Sequence, residues 1–168
     1  GRFILFSGRG LWAVPVSAGQ PGAGQKPVPV VQGPGAQDQA QLSSDGRWIA
    51  YRSGEPGRGE IYVQPFPPTG GKWQISTAGG SEPRWRGDGK ELFYIAGTKL
   101  MAVEVKAGLS SFEAGIPRPL FEAPLVSEVR RNRYVVTADG QRFLLVTPVE
   151  SEAAVINVVL NWAAGLKR

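Results

Sequence analysis

One short motif recurs three times in this chain, and its spacing restricts the fold more than any other feature does. The copies are Asp45-Gly46, Asp88-Gly89 and Asp139-Gly140. Asp-Gly is a strong signal for a tight turn between antiparallel strands, because such turns need a positive φ that glycine adopts at little cost. The three aspartates are separated by 43 and 51 residues. The chain is therefore expected to repeat one β-rich unit of about that length.

The segments around each turn predict the content of this unit. Short apolar and aromatic runs flank the turns, and 23 Gly and 14 Pro favour many short strands over long helices. We predict strands at 39–43, 82–86 and 133–137 before the turns, at 47–51, 90–94 and 141–145 after them, then at 60–64, 99–103 and 154–160, with outer strands at 72–76 and 118–122. A four-stranded antiparallel meander of roughly 40 to 50 residues, innermost strand first, is one blade of a β-propeller.

The two ends of the chain predict incomplete blades. Residues 3–6 align with 48–51, and 11–16 align with 61–66, so the first repeat lacks its innermost strand. The last repeat shows no outer strand. We therefore predict a single all-β propeller fragment, 1–168, with two complete and two partial blades at approximately 1–35, 36–78, 79–125 and 126–168. The Gly- and Pro-rich run 18–27 is interpreted as a loop within the first blade, and a domain linker is the alternative.

Such an open arc of blades leaves apolar faces and strand edges uncovered. We therefore expect a homo-oligomer and favour a two-fold dimer, in which two four-blade arcs close one ring. The net charge of +5 comes from 19 Lys and Arg dispersed among 14 Asp and Glu, which indicates a solvated surface and no specific nucleic-acid site. No apolar stretch is long enough for membrane insertion, and no targeting segment is recognisable in this chain.

The residue types exclude several kinds of chemistry. The chain has no His and no Cys, which rules out a Ser-His-Asp triad within it, histidine-ligated zinc and thiol catalysis. Phosphate-loop, EF-hand and Ser-x-x-Lys patterns are absent, so we predict no cofactor, no metal and no catalytic residue. The repeated aspartates are expected to bond their own turn backbone, because catalytic residues seldom recur in every repeat.

The Ser43-x-Asp45-Gly46-Arg47 turn, followed by an aliphatic and aromatic strand, resembles the TolB-like, WD-type propeller repeat over essentially the whole chain. The runs 71–77, 82–86, 88–94 and 100–105 are most similar to the C-terminal propeller of acidobacterial serine/threonine protein kinases. That resemblance implies a bacterial propeller fragment without its kinase domain, facing outward as an extracytoplasmic or periplasmic sensor. TolB-like propellers also occur ahead of prolyl-peptidase domains and in translocation machinery, and the repeat alone does not separate these settings.

Propellers commonly bind ligands where their innermost strands converge, at the mouth of the central channel. The residues at or near the starts of these strands are Asp38, Gln39, Gln41, Ser81, Glu82, Arg84, Trp85, Asn132 and Arg133. Their carboxylates, amides and guanidinium groups could hold a protein, a peptide or a saccharide by charge-assisted hydrogen bonds. The plainer interpretation is that they solvate a water-filled channel. We therefore predict a non-catalytic binding module, with a hydrolase formed on the assembled ring and a purely structural interaction scaffold as alternatives.

Overall fold

The chain is almost entirely β-structure in the part that the structure describes. The computed structural model describes residues 3–17, 20–21, 25–55, 58–109, 111–125, 132–148 and 156–160. These residues form sixteen strands and contain no helix. The chain divides into two compact units, Gly1–Pro83 and Arg84–Arg168. The predicted all-β class is confirmed.

The first unit contains two antiparallel sheets that follow one another along the chain. The first sheet consists of β1 (Phe3–Gly8), β2 (Gly10–Ser17), β3 (Gln20–Pro21) and β4 (Val28–Val31), with both β3 and β4 paired to β2. The second sheet consists of β5 (Ala36–Leu42), β6 (Trp48–Glu55), β7 (Arg58–Pro65) and β8 (Trp73–Gln74), paired in that order. The second sheet is the four-stranded meander that the repeat predicts.

Two further sheets follow the same plan. The third consists of β9 (Ser81–Trp85), β10 (Glu91–Ala96), β11 (Lys99–Ala107), β12 (Phe112–Ala114) and β13 (Arg118–Glu122), with β12 and β13 both paired to β11. The fourth consists of β14 (Tyr134–Val136), β15 (Arg142–Val146) and β16 (Ile156–Leu160). β13 has the bounds that the sequence predicts.

The short strands β3 and β12 were not predicted. β11 continues to Ala107, four residues past its predicted end, and β12 pairs with its last three residues, Val105–Ala107. β3 pairs in the same way with Val16 and Ser17 at the end of β2. An extended edge without a partner leaves backbone groups unpaired, and here the following chain folds back to pair them. The difference from prediction is therefore local.

The three repeated turns share one hydrogen-bond pattern. In each, the aspartate Oδ1 accepts the backbone N–H two residues later at 3.0 Å: Asp45 from Arg47, Asp88 from Lys90, and Asp139 from Gln141. The glycine between them has φ of 72°, 71° or 74°, a backbone conformation that favours glycine. These aspartates therefore hold the turns, as the sequence predicts.

One packing arrangement joins the two sheets of the first unit. Successive residues of a strand point to opposite faces of its sheet. Ile49 and Tyr51 on β6 are buried and pack against Leu11, Ala13 and Val30 of the first sheet, together with Phe66. This cluster is the core of the first unit, and it supplies stabilising apolar burial between neighbouring sheets.

The second unit uses the equivalent strand positions. Phe143 and Leu145 on β15, the counterparts of Ile49 and Tyr51, pack against Phe93 and Ile95 on β10. The rings of Phe93 and Phe143 meet edge to face, with centroids 5.1 Å apart. In both units, therefore, alternate residues of the strand after the Asp-Gly turn cover the preceding sheet.

The first and last sheets expose apolar residues whose counterparts in the neighbouring repeats are buried. Ile4 and Phe6 on β1 align with Ile49 and Tyr51, yet 44% and 42% of their surface is exposed. Leu144 on β15 aligns with the buried Phe93, yet it is 39% exposed, and Val146 beside it is 46% exposed. We call Ile4 and Phe6 the leading face, and Leu144 and Val146 the trailing face.

Candidate functional site

The innermost strands of the second and third sheets carry an unusual backbone conformation at the same repeat position. Gln39 in β5 and Glu82 in β9 both have φ of 54°, and among the described residues no other non-glycine has a positive φ. In β5, the register with β6 shifts between Asp38 and Gln41, so Gln39 lies in a β-bulge. A non-glycine residue in the left-handed region costs about 1 kcal/mol or more. Such strain persists where the surrounding structure fixes it, and it is found often at binding sites.

A direct hydrogen bond joins these two residues. The side-chain Oε1 of Gln39 accepts the backbone N–H of Glu82 at 2.8 Å. Gln39 is exposed, whereas Glu82 retains only 2% of its surface. The bond holds the start of β9 beside the bulge of β5, within the first unit.

Charged and amide side chains lie next to Gln39 along β5 and on the paired strand β6. The Arg52 guanidinium lies 3.4 Å from both carboxylate oxygens of Asp38. Gln37 is buried and donates from Nε2 to the carbonyl of Pro34 at 2.9 Å, whereas its Oε1 has no partner within the described residues. We call Asp38, Gln39, Gln41, Ser81 and Glu82 the inner-strand site. Gln41 and Ser81 are half-buried, so the side chains of the inner-strand site range from exposed to buried.

The other four predicted site residues belong to the second unit. Arg84 and Trp85 are buried, and the Arg84 guanidinium lies over the ring of Tyr134, 5.8 Å from its centroid. Asn132 is exposed and Arg133 is half-buried. The structure therefore joins Gln39 to Glu82 by a hydrogen bond, and it places Arg84 against an aromatic ring. A single site formed by all nine residues stays a prediction.

The first unit also contains a cavity that sequence reasoning missed. Its volume is about 330 Å³, and its lining includes Val30, Tyr51, Gln64, Pro68, Gly71 and Lys72. Gln64 pairs with Ile49 near the start of β6, whereas Asp38 pairs with Arg52 further along it. No residue of the inner-strand site is among the residues that line the cavity. The sequence signal for the cavity is the Pro- and Gly-rich run 65–71, because four of its residues line the cavity.

Buried polar groups form the floor of the cavity. The Tyr51 hydroxyl donates to Gln64 Oε1 at 3.1 Å, and Gln64 Nε2 donates to the carbonyl of Val30 at 3.0 Å. Burial, with a smaller electrostatic contribution from Tyr62, raises the pKa of Tyr51 to about 12. The phenol is therefore neutral at physiological pH, and it can donate a hydrogen bond.

A lysine is held at the rim of the same cavity. The Lys72 Nζ lies 4.8 Å from the centroid of the Tyr62 ring, within cation–π range. Tyr62 in turn stacks on Tyr51, with ring centroids 6.0 Å apart and an interplanar angle of 27°. No ion pair of Lys72 is found within the described ranges.

The described residues show neither a metal cluster nor a membrane-crossing helix. No three carboxylates among them come together as ligands for a metal ion. Nor do they include a helix with the length and apolar character that crossing a bilayer requires.

Neither a protein-family model nor a curated protein sequence matches this chain. Its structure is similar to that of a puromycin-hydrolysing peptidase from Mycobacterium tuberculosis, with a TM-score of 0.59, 18% identity, and coverage of 82% of this chain and 22% of the other. It is also similar to a candidate 6-phosphogluconolactonase from Bacteroides uniformis, with a TM-score of 0.56, 17% identity, and coverage of 88% and 44%. TolB from Acinetobacter baumannii gives a TM-score of 0.51, 16% identity, and coverage of 95% and 41%.

These similarities establish the fold and nothing finer. The chain has a TolB-like β-propeller fold, as the repeated turns predict. It spans less than half the length of each of these three proteins. One fold can carry many different functions, so this similarity does not assign one to the chain.

Proposed function

We propose that this chain is a non-catalytic binding module, and that its ligand contacts the inner-strand site. The observation that carries the proposal is the left-handed backbone shared by Gln39 and Glu82. Two sheets adopt the same costly conformation at the same repeat position, which favours a role that both sheets share. A bulge re-aims the side chains around it, and here the exposed Gln39 lies beside the half-buried Asp38.

The side chains of the site suit a hydrogen-bonding ligand. Gln39 and Gln41 supply amide groups, and Asp38 supplies a carboxylate beside Arg52. Such groups can bind backbone amides or sugar hydroxyls by alternating donors and acceptors. The ligand class that we propose is therefore a short peptide or a saccharide.

Saturation-transfer NMR with trialanine and cellotriose as probes tests this proposal. We expect one of these probes to bind, and we expect Gln39→Gly to weaken its binding at least fivefold. Glycine accepts the positive φ of this position, so the variant removes the side chain while it keeps the backbone conformation. Lys106→Gln is the matched control, because the Lys106 side chain is 86% exposed elsewhere in the chain. Equal binding by the Gln39→Gly variant, or binding of neither probe, would contradict the proposal.

We also propose that the module self-associates through its leading and trailing faces. Within each unit, two neighbouring sheets pack against each other. One sheet contributes the strand face that corresponds to the leading face, and the other contributes the face that corresponds to the trailing face. The exposed Ile4 and Phe6 of one copy therefore suit the exposed Leu144 and Val146 of another. A dimer with two such contacts leaves neither face open, and closed assemblies of this kind are the usual form of homo-oligomers.

The wider setting is proposed from the repeat resemblance. We infer that the module is the sensory or interaction part of a larger bacterial protein, in an extracytoplasmic position. A fusion to a kinase of the acidobacterial type is the specific arrangement that the repeat runs favour. Expression of the full gene with a tag on this segment, followed by protease protection in intact spheroplasts, tests the extracytoplasmic position. Degradation of the tag by external protease is expected, and full protection would contradict it.

A hydrolase is the second candidate function, because a peptidase and a candidate lactonase are among the similar structures. Without His or Cys, such an enzyme would depend on carboxylates, Ser, Lys or Tyr. Chromogenic esters, peptides and glycosides test this function. Turnover that survives repurification and disappears in the Gln39→Gly variant would replace the binding module with a hydrolase.

A further inference from the structure

The cavity of the first unit has the size of a small-ligand site. Its volume of about 330 Å³ is at the lower end of the range for small-molecule pockets, roughly 300 to 1,000 Å³. Val30, Val31, Pro65 and Pro68 give it apolar walls, and the Tyr51–Gln64 pair gives it a polar floor. A pocket of this size suits a compact ligand.

The charge of the cavity selects one class of ligand. No Asp or Glu is among the lining residues, whereas the Lys72 ammonium group lies at the rim. The Tyr62 ring holds that ammonium group by a cation–π contact, so less side-chain freedom is lost when an anion binds. The Gln64 amide has two N–H donors, and one of them bonds to the Val30 carbonyl at 3.0 Å.

We propose that this cavity binds a compact monocarboxylate with an apolar body. The carboxylate pairs with the Lys72 ammonium group and accepts one hydrogen bond from the second N–H of Gln64, while the apolar body packs against the Val and Pro walls. This site is separate from the inner-strand site and does not depend on the ligand proposed there. A neutral compound of the same shape loses the ion pair, and inorganic phosphate lacks the apolar body.

The test compares N-acetyl-leucine with N-acetyl-leucinamide, which differ only in the carboxylate, by titration into the ¹⁵N-labelled protein. We expect N-acetyl-leucine to shift the backbone amide signals of Gly70, Gly71 and Lys72. We expect the amide to bind at least tenfold more weakly, and inorganic phosphate to bind more weakly than the acid. Lys72→Gln should reduce affinity for the acid to that of the amide, whereas Lys106→Gln should not change it. Because Lys72 is exposed, its substitution should preserve the fold, which the dispersion of the remaining amide signals verifies.

Three results would overturn this inference. They are equal affinity for the acid and the amide, phosphate binding as strong as that of the acid, and unchanged acid binding by a folded Lys72→Gln variant. Gln39→Gly distinguishes this site from the inner-strand site. It should leave N-acetyl-leucine binding intact even if the proposed peptide or saccharide site proves wrong.

Discussion

The side chain of Gln39 accepts a hydrogen bond from the backbone N–H of Glu82 at 2.8 Å, and both residues have φ of 54°. This pair ties two innermost strands of the propeller fold together through the residues that depart most from ordinary strand geometry. Both residues belong to the set that the sequence singled out as a binding site.

The backbone strain at Gln39 predicts how its variants affect stability. Gln39→Val places a β-branched residue at a positive φ and removes the bond to Glu82, so it should lower the free energy of unfolding by about 2 kcal/mol. Gln39→Gly loses the same bond but relieves the strain, so the change should stay within about 1 kcal/mol. Urea unfolding of both variants measures the difference. Equal destabilisation would show that the positive φ is not strained.

The sequence predicted the repeated turns and most strands because their signals are local. An Asp-Gly turn is specified by its own two residues, and each apolar run lies next to its turn in the sequence. The bulge at Gln39 was not predicted, because residue type does not encode a left-handed glutamine. The sequence places Glu82 and Arg84 near the start of an innermost strand, but a position along a strand does not give burial, and both are buried. The cavity was missed because its lining comes from separated parts of the chain.

The Asp88–Arg86 ion pair predicts a shifted titration. Hydrogen bonds from the Arg86 side chain lower the pKa of Asp88 from 3.8 to about 2, and the Lys90 backbone N–H adds to this effect. Because the folded-state pKa is depressed, the associated stability is present above pH 3.8 and is lost as the pH falls through about 2. Arg86→Gln should move the Asp88 pKa toward 3.8, as measured by NMR titration of its carboxyl carbon. The pKa of Asp45, whose side chain is held by Ser43 and Arg47, should stay unchanged as the control. An Asp88 pKa that stays near 2 would refute the assignment.

The raised pKa of Tyr51 predicts that the folded state loses stability at high pH. Its folded-state pKa is raised from 10.0 to about 12, mainly by burial, so the folded state retains a proton that the unfolded state has lost in this range. The corresponding stability is present below pH 10 and is lost as the pH rises toward 12. Tyr51→Phe should flatten this part of the stability profile. A profile identical to that of the unsubstituted protein would mean that another group titrates there.

Ile4 and Ile49 occupy the same position in different repeats, yet their truncation to alanine should change the free energy of unfolding by different amounts. Ile49→Ala removes a fully buried side chain and should cost about 2 to 4 kcal/mol. Ile4→Ala changes a residue that is 44% exposed and should cost less than about 1 kcal/mol at protein concentrations too low for association. Denaturant unfolding of both variants measures these two losses in the free energy of unfolding. Similar costs would mean that the leading face is covered within a single chain.

A charge exchange tests whether the association joins the leading face to the trailing face. Ile4→Lys and Leu144→Asp should each weaken association, because each puts a charge into an apolar contact. A mixture of the two variants should associate again, since one contact is then unaltered and the other pairs Lys with Asp. Failure of the mixture to associate would argue against head-to-tail packing.

The most direct test of the repeated-interface account is the absolute mass of the unsubstituted chain, measured by light scattering during gel filtration. We expect twice the mass of one 18.0 kDa chain, with a shift to the single-chain mass for Ile4→Lys. A stable monomer of the unsubstituted chain at all concentrations would contradict the proposal that the exposed faces of one copy cover those of another.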